Sequence, residues 1–337
     1  MTGGLSRIRL FGLFGRRPQT WITALLLIAV ACAPEAGAQL GDDKISIVIP
    51  YRPGGGFDRA VRTIAPHFAR QLGEDINVLP DNLPGAGGRR GATKVYRARP
   101  DGTTLGIFNL PGIVLPDILG ERTAYDLREL SWIGRLESQN YVLLVAASGG
   151  LRSIADLQLE DTISFLSTGY GSTVLAASQI AADGLGLMVK NPIFLAGYAG
   201  TADYLVGLIR GDGNVALAPV SSAAKYIESG DLRPLAVSGE VSRLKGVSTF
   251  ADLGYPELTP LNVQRSIAGP PGMDPELLAM LRGAFMRTAA DPEFKNAANK
   301  ARLDLSVLNG DDTAAEVEAS FNFYEKFKAN LKNPNAL

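Results

Sequence analysis

Glycine-rich segments recur after apolar runs in this chain, and their residue types suit the binding of an anion. The first is Pro50-Tyr51-Arg52-Pro53-Gly54-Gly55-Gly56-Phe57-Asp58, directly after Ile45-Ser46-Ile47-Val48-Ile49. The second is Asn82-Leu83-Pro84-Gly85-Ala86-Gly87-Gly88, and further on stands Arg99-Pro100-Asp101-Gly102-Thr103-Thr104-Leu105. Ser167-Thr168-Gly169-Tyr170-Gly171-Ser172-Thr173 and Gly197-Tyr198-Ala199-Gly200-Thr201 repeat the device later. Glycine lets the backbone approach a ligand closely, and the first turn of a following helix presents unpaired N–H groups. Such sites suit a small carboxylate or phosphate.

Each segment carries a functional and a bland reading. Gly54, Gly55 and Gly56 form a tight turn whose N–H groups face a ligand, with Phe57 beside them. Asp58 either caps the helix or accepts hydrogen bonds from ligand-bridging water. Gly85, Ala86 and Gly87 form a second ligand loop or an ordinary strand-to-helix connection. Ser167, Thr168, Gly169 and Gly171 offer hydroxyls and N–H groups that donate without fixed charge. Gly200 and Thr201 are similarly placed. Ser172 and Thr201 also read as N-caps, which is compatible with binding. Arg265 can meet a distal ligand carboxylate bidentately, but a surface salt bridge is the preferred reading. His67, the single histidine, flanks Pro66 and reads as solvated rather than catalytic.

These residues require strands and helices to position them. Lys44–Ile49 reads as a strand. A helix follows over 57–72, with Phe57, Val61, Ile64, Phe68 and Leu72 on one stripe. Pro66 inside it predicts a kink or local break. Strands are expected at 76–79 and 104–108, then at 141–145, 163–166, 193–195, 215–217 and 235–237. Helices are expected from the glycine and serine loops to about Asp183 and Arg210, with a short one after Ser221-Ser222. Asp274-Pro275 and Asp291-Pro292 each place an N-cap and an N1 proline before an apolar run. Thr313-Ala314-Ala315-Glu316 reads as a capping box before the last helix. Alternating strands and helices predict an α/β fold with a mostly parallel sheet.

At 337 residues the chain suits two domains. Its 20% charged and 46% hydrophobic residues are those of an ordinary soluble protein, and a formal charge of −1 implies no polyanion partner. One cysteine and one histidine exclude a four-ligand Cys/His zinc site and disfavour a Cys-His nucleophile. Arg7, Arg9, Arg16 and Arg17 precede a short apolar core at 21–30, and Ala36-Gly37-Ala38 offers a cleavage site before Gln39. Residues 1–38 therefore read as a signal peptide for the general secretory route. Its removal takes away four arginines and one glutamate and brings the formal charge to −4, unlike a nucleic-acid binder. Ala29-Val30-Ala31-Cys32 is a loose lipoprotein box, and lipidation of Cys32 is the minority reading.

Taken in order, the strand with Pro-x-x-Pro-Gly-Gly-x-x-Asp, then Asn-x-Pro-Gly-Ala-Gly-Gly, then Ala-x-Pro-Asp-Gly-x-Thr-Leu resemble the Bug family. These are extracytoplasmic solute receptors of tripartite tricarboxylate transporters. The resemblance covers nearly the whole chain after about residue 40. It implies a two-domain α/β periplasmic solute-binding protein of type II, a Venus flytrap with its ligand cleft between the domains. Domain 1 would combine residues 39–138 with 262–337, and domain 2 would be 139–261, with crossings near 137–141 and 260–268. In such proteins the first loop holds a carboxylate through backbone groups and ordered water, and Asp58 matches the acidic position. Leu83 and Ala199 stand where relatives often carry basic residues, and Arg265 lies where they commonly have a bulky aromatic.

The leading expectation is a monomeric receptor without catalysis, cofactor or metal. It captures a di- or tricarboxylate, an aromatic acid or an amino acid for two membrane permease subunits. The alternatives are a periplasmic sensor for a signalling partner and an exported enzyme using the same cleft. The first loop lacks the Gly-x-x-x-x-Gly-Lys-Ser/Thr spacing, and no Gly-x-Ser-x-Gly elbow occurs, which disfavours the enzyme.

Overall fold

Ile45, Ile47, Val48 and Ile49 are all buried, so both faces of the first strand are covered, as in the interior of a parallel sheet. The computed structural model describes residues 40–169 and 172–331; the signal segment, Cys32 and Gly171 lie outside them. In the first stretch, β1 (Lys44–Ile49), α1 (Gly56–Leu72), β2 (Asn77–Asn82), α2 (Arg89–Tyr96), β3 (Thr104–Leu110) and α3 (Leu115–Ile118) alternate. The long β4 (Ser131–Ala146) follows, then α4 (Ile154–Leu159), β5 (Ser164–Thr168), α5 (Thr173–Gly184), β6 (Ile193–Tyr198) and α6 (Thr201–Arg210). Next come β7 (Val215–Pro219), α7 (Val220–Glu228), β8 (Leu232–Val237) and β9 (Asn262–Gly269). The chain finishes with α8 (Pro275–Ala290), α9 (Pro292–Lys300), β10 (Leu305–Asn309) and α10 (Gly310–Lys326).

The strands run in the order β2-β1-β3-β9-β4-β7-β5-β6, with β8 and β10 also paired to β4. The 16-residue β4 belongs to both ends of this sheet. Its residues up to Asn140 pair with β9, and from Tyr141 onward it pairs with β7 and β8. The parallel trio β2-β1-β3 thus lies on one side of the partner change and the parallel trio β7-β5-β6 on the other. Leu110 at the end of β3 pairs with Gln264, Asn140 pairs with Asn262, and Pro219 at the end of β7 pairs with Tyr141. The carboxyl ends of both trios therefore point at the same crossing, which is where open α/β sheets place ligands.

Several expectations need correction. The sheet is mixed rather than mostly parallel, because β4, β8, β9 and β10 enter antiparallel. Sequence reading caught only the apolar second half of β4; Glu137 and Gln139 in its first half masked the strand. Helix α1 runs through Pro66 without a break. Pro66 and Arg62 are exposed, so the Arg62 carbonyl that loses its partner faces water. Helix α10 starts before Thr313: the Asn309 side chain accepts from the Asp312 N–H at 2.9 Å, and the Thr313 hydroxyl donates back to the Asn309 carbonyl at 2.6 Å. Asp274 and Asp291 do cap α8 and α9, accepting from Glu276 and Glu293 N–H groups respectively.

Candidate functional site

Register across β3, β9 and β4 builds the floor of the site. Arg265 pairs with Asn109 on one side and Glu137 on the other, so the three side chains share one face. Arg265 Nη1 donates to Glu137 Oε2 at 2.6 Å. The pair is buried, at 8% and 0% exposure, so the surface salt bridge expected of Arg265 is instead an interior one. Glu137 Oε1 accepts from the Asp304 N–H at 3.0 Å and from Gln139 Nε2 at 3.3 Å. Both oxygens are engaged, which fixes the carboxylate and through it the guanidinium.

The first glycine loop lies over this floor. The Arg265 guanidinium carbon sits 4.9 Å from the Phe57 ring centre, a cation–π contact. A Cβ on Gly56 would stand 2.5 Å from Arg265 Nη2, so any larger residue there requires the guanidinium to shift. Gly54 has φ +83°, a left-handed conformation that also favours glycine. Asp58 does not cap the helix as one reading expected: Gly55 occupies the N-cap position without a side-chain bond, and Asp58 reaches back to the loop. Its Oδ2 accepts from the Gly54 N–H at 2.9 Å, and both oxygens accept from Arg62 Nε at 3.0 Å. The Arg62 bond, helped by the Gly54 N–H, holds the buried carboxyl below its usual range against the opposing effect of burial.

Arg62 also ties the first loop to the second. Its Nη2 donates to Asn82 Oδ1 at 3.1 Å, and Asn82 Nδ2 donates to the Tyr51 carbonyl at 3.1 Å. Gly85, Ala86 and Gly87 have φ of 140°, 49° and 65° and are exposed. Behind them, a Cβ on Gly88 would lie 3.2 Å from the Tyr51 hydroxyl, so the two loops are in contact. The Tyr51 ring packs on Phe57 at 4.6 Å between centres, and burial pushes its hydroxyl up to about 12.

The second half of the sheet reaches this group at two points. Asn109 Nδ2 donates to Thr173 Oγ1 at 3.0 Å, and Ser221 Oγ donates to Gln139 Oε1 at 2.9 Å. Thr173 opens α5, which Ser172 caps by accepting from the Leu175 N–H. Ser167 is buried and its hydroxyl donates to the Thr168 carbonyl; Thr168 is half-buried and Gly169 exposed. Thr168 pairs with Tyr198, so Gly200 and Thr201 follow the neighbouring strand on the same sheet edge. They lie just beyond the end of the outer strand β6, and Gly200 rather than Thr201 is the N-cap of α6. Three buried polar atoms in the group, the Tyr51 hydroxyl, Asn109 Oδ1 and Arg265 Nε, have no hydrogen-bond partner among the described residues.

His67 lies elsewhere, packed edge-on against Phe294 at 5.5 Å and only 13% exposed rather than solvated. Its ring nitrogen and carboxylate oxygens of Asp291 and Glu293 come within 4.8 Å of one another. The Arg70 guanidinium already serves as their cation, 2.8 Å from Glu293 and 2.7 Å from His67 Nδ1.

Sequence reading found the first loop, the second loop and the α5 start. It missed Asn109, Glu137, Gln139 and Arg62 as parts of the group. Arg62 carried a readable signal, since it follows Asp58 by one helical turn. Asn109 and Glu137 join Arg265 only through strand register.

Two α/β halves joined by crossing strands, with anion-suited loops and a buried guanidinium where they meet, define a solute-binding protein. The chain belongs to the tripartite tricarboxylate transporter receptor family, whose sequence model matches residues 60–322. It is 25% identical to the protein BugT of Bordetella pertussis over 278 residues, 78% of this chain and 82% of the relative. Its fold is similar to that of the periplasmic binding protein BugD, with a TM-score of 0.70, 22% identity and coverage of 85% of this chain and 97% of that one. MatC from Rhodopseudomonas palustris, solved with bound malate, gives a TM-score of 0.69 at 19% identity, covering 85% and 98%. Family and fold are those of solute receptors rather than enzymes.

Proposed function

We propose that this receptor captures a small carboxylate between its two halves and delivers it to the membrane permease subunits of a tripartite transporter. The observation that carries the reading is the convergence of the β1, β3, β5 and β7 carboxyl ends on one crossing, with Arg265 buried beneath the glycine loop. Helix N-termini and loop N–H groups from both halves suit a carboxylate. The malate bound by MatC supports the same solute class here. Residues 39–138 with 262–337 act as one domain and 139–261 as the other, hinged where β4 changes partners. Gly54–Asp58, Gly85–Gly87, Ser167–Gly169, Gly171, Gly200 and Thr201 line the two jaws. The protein acts as a periplasmic monomer after cleavage behind Ala38. Among the described residues no helix is long and apolar enough to cross a membrane.

The test is a thermal-shift screen on protein stripped of co-purified solute by unfolding and refolding. Mono-, di- and tricarboxylates, aromatic acids and amino acids are compared, because a ligand that binds only the folded state raises the melting temperature. A positive shift confirmed by calorimetry is expected for at least one carboxylate. No binding across the whole panel would sink the reading.

A further inference from the structure

Arg265 has one committed nitrogen and one edge whose Nε lacks a hydrogen-bond partner among the described residues. Nη1 is held by Glu137 at 2.6 Å. Nε is buried and has no partner among the described residues. Nη2 faces the bare Cα of Gly56, where any Cβ would stand 2.5 Å away. The side chain is 10% exposed, so this is a nearly dehydrated cation. A guanidinium offers two parallel N–H groups along its Nε–Nη2 edge, at the spacing of the two oxygens of a carboxylate.

Resting on the carboxylate-receptor reading above, we infer that Arg265 is the charge receptor of the site: a carboxylate of the bound solute takes its Nε–Nη2 edge side-on, beside the first turn of α1. Glu137 is the positioning residue. Its two oxygens are occupied by Arg265, Asp304 and Gln139, so it stays in place when a second carboxylate arrives. It also balances the guanidinium before the solute binds, because an unpaired buried cation is costly. The N–H groups at the start of α1 share the solute's charge from the other side. Gly56 puts no side chain against this edge, and Phe57 covers the guanidinium face at 4.9 Å. The site thereby discriminates by charge: it accepts a carboxylate and rejects the isosteric carboxamide, which cannot supply two acceptor oxygens.

The experiment compares wild type, Arg265→Lys and the charge-neutral pair Arg265→Gln with Glu137→Gln. Calorimetry is run with succinate, malate, adipate and benzoate, and with the monoamide of the tightest dicarboxylate. The double variant leaves no unpaired buried ion, and its fold is checked by circular dichroism. Loss of a charge-assisted bidentate contact is expected to weaken the tightest carboxylate about 10- to 100-fold in both variants. The preference of wild type for carboxylate over monoamide should collapse in the double variant. The Arg265 Nε–H resonance of wild type should shift on addition of that carboxylate, which needs no variant to fold. A folded double variant with wild-type affinity and preference, or an unmoved Nε–H resonance at saturation, would overturn the inference and leave the receptor reading intact. A wild type that binds none of the probes would overturn both.

Discussion

Gly56 and Arg265 meet so closely that the absence of one side chain makes room for the other: a Cβ at 56 would lie 2.5 Å from Nη2. The guanidinium cannot simply swing away, because Glu137 holds its other nitrogen at 2.6 Å and Phe57 covers its face. Gly56→Ala should therefore cost about 1–3 kcal/mol through overpacking, and it should weaken carboxylate binding by displacing the guanidinium. Chemical denaturation and calorimetry together check this. An alanine variant with wild-type stability and affinity would show that Arg265 is free to move.

Breaking the buried ion pair from the acid side has a different signature. Glu137→Ala strands the Arg265 charge in the interior and removes the acceptor of the Asp304 N–H. The expected loss is about 3–5 kcal/mol in chemical denaturation. Glu137→Gln combined with Arg265→Gln should recover much of it, since the uncompensated charge is gone. A double variant no more stable than Glu137→Ala would refute that account.

The sequence shows the loops and hides the floor beneath them. Gly54, Gly55, Gly56 and Asp58 are adjacent and follow an apolar strand, so their local pattern is enough to place them. The floor is assembled from Asn109, Glu137 and Arg265, which are distant in sequence and meet only because β3, β9 and β4 pair in one register. The first half of β4 was hidden for the same reason. Its polar residues are buried in an ion pair and hydrogen bonds, and a hydrophobic pattern cannot report that kind of burial. The capping reading of Asp58 fails because its bond runs backward to Gly54, whereas capping rules point forward into the helix.

Asp58 sets an acid limit on the first loop. Its carboxyl is held low in the folded protein, chiefly by Arg62. A depressed folded value means the contribution is fully present above the unfolded carboxylate value of about 4 and is lost as pH falls through the lower folded value. Wild type should therefore exceed Asp58→Asn in melting temperature at pH 6, with the gap shrinking progressively below about pH 4. Melts of both proteins across pH 2.5 to 6 test this. A gap that stays constant through that range would remove Asp58 ionisation as the cause.

Two hydrogen bonds tie helix starts of the second half to the crossing, Asn109 to Thr173 at 3.0 Å and Ser221 to Gln139 at 2.9 Å. Asn109 on β3 thereby meets a helix start in the other half, a bond expected only when the jaws are closed, whereas Gln139 lies in the stretch of β4 where the partners change. Each contributes about 1 kcal/mol when formed. A solute that touches both jaws favours the closed arrangement by differential affinity, whereas equal affinity for open and closed states would shift nothing. Small-angle scattering should then show a smaller radius of gyration for the solute-saturated protein than for stripped protein. Thr173→Val should weaken solute binding roughly fivefold through the loss of the Asn109 bond. It should leave the saturated radius unchanged, because the solute itself still bridges the jaws. If the wild-type radius is the same with and without a saturating carboxylate, the halves do not close, and the Asn109–Thr173 bond is a static strut between them.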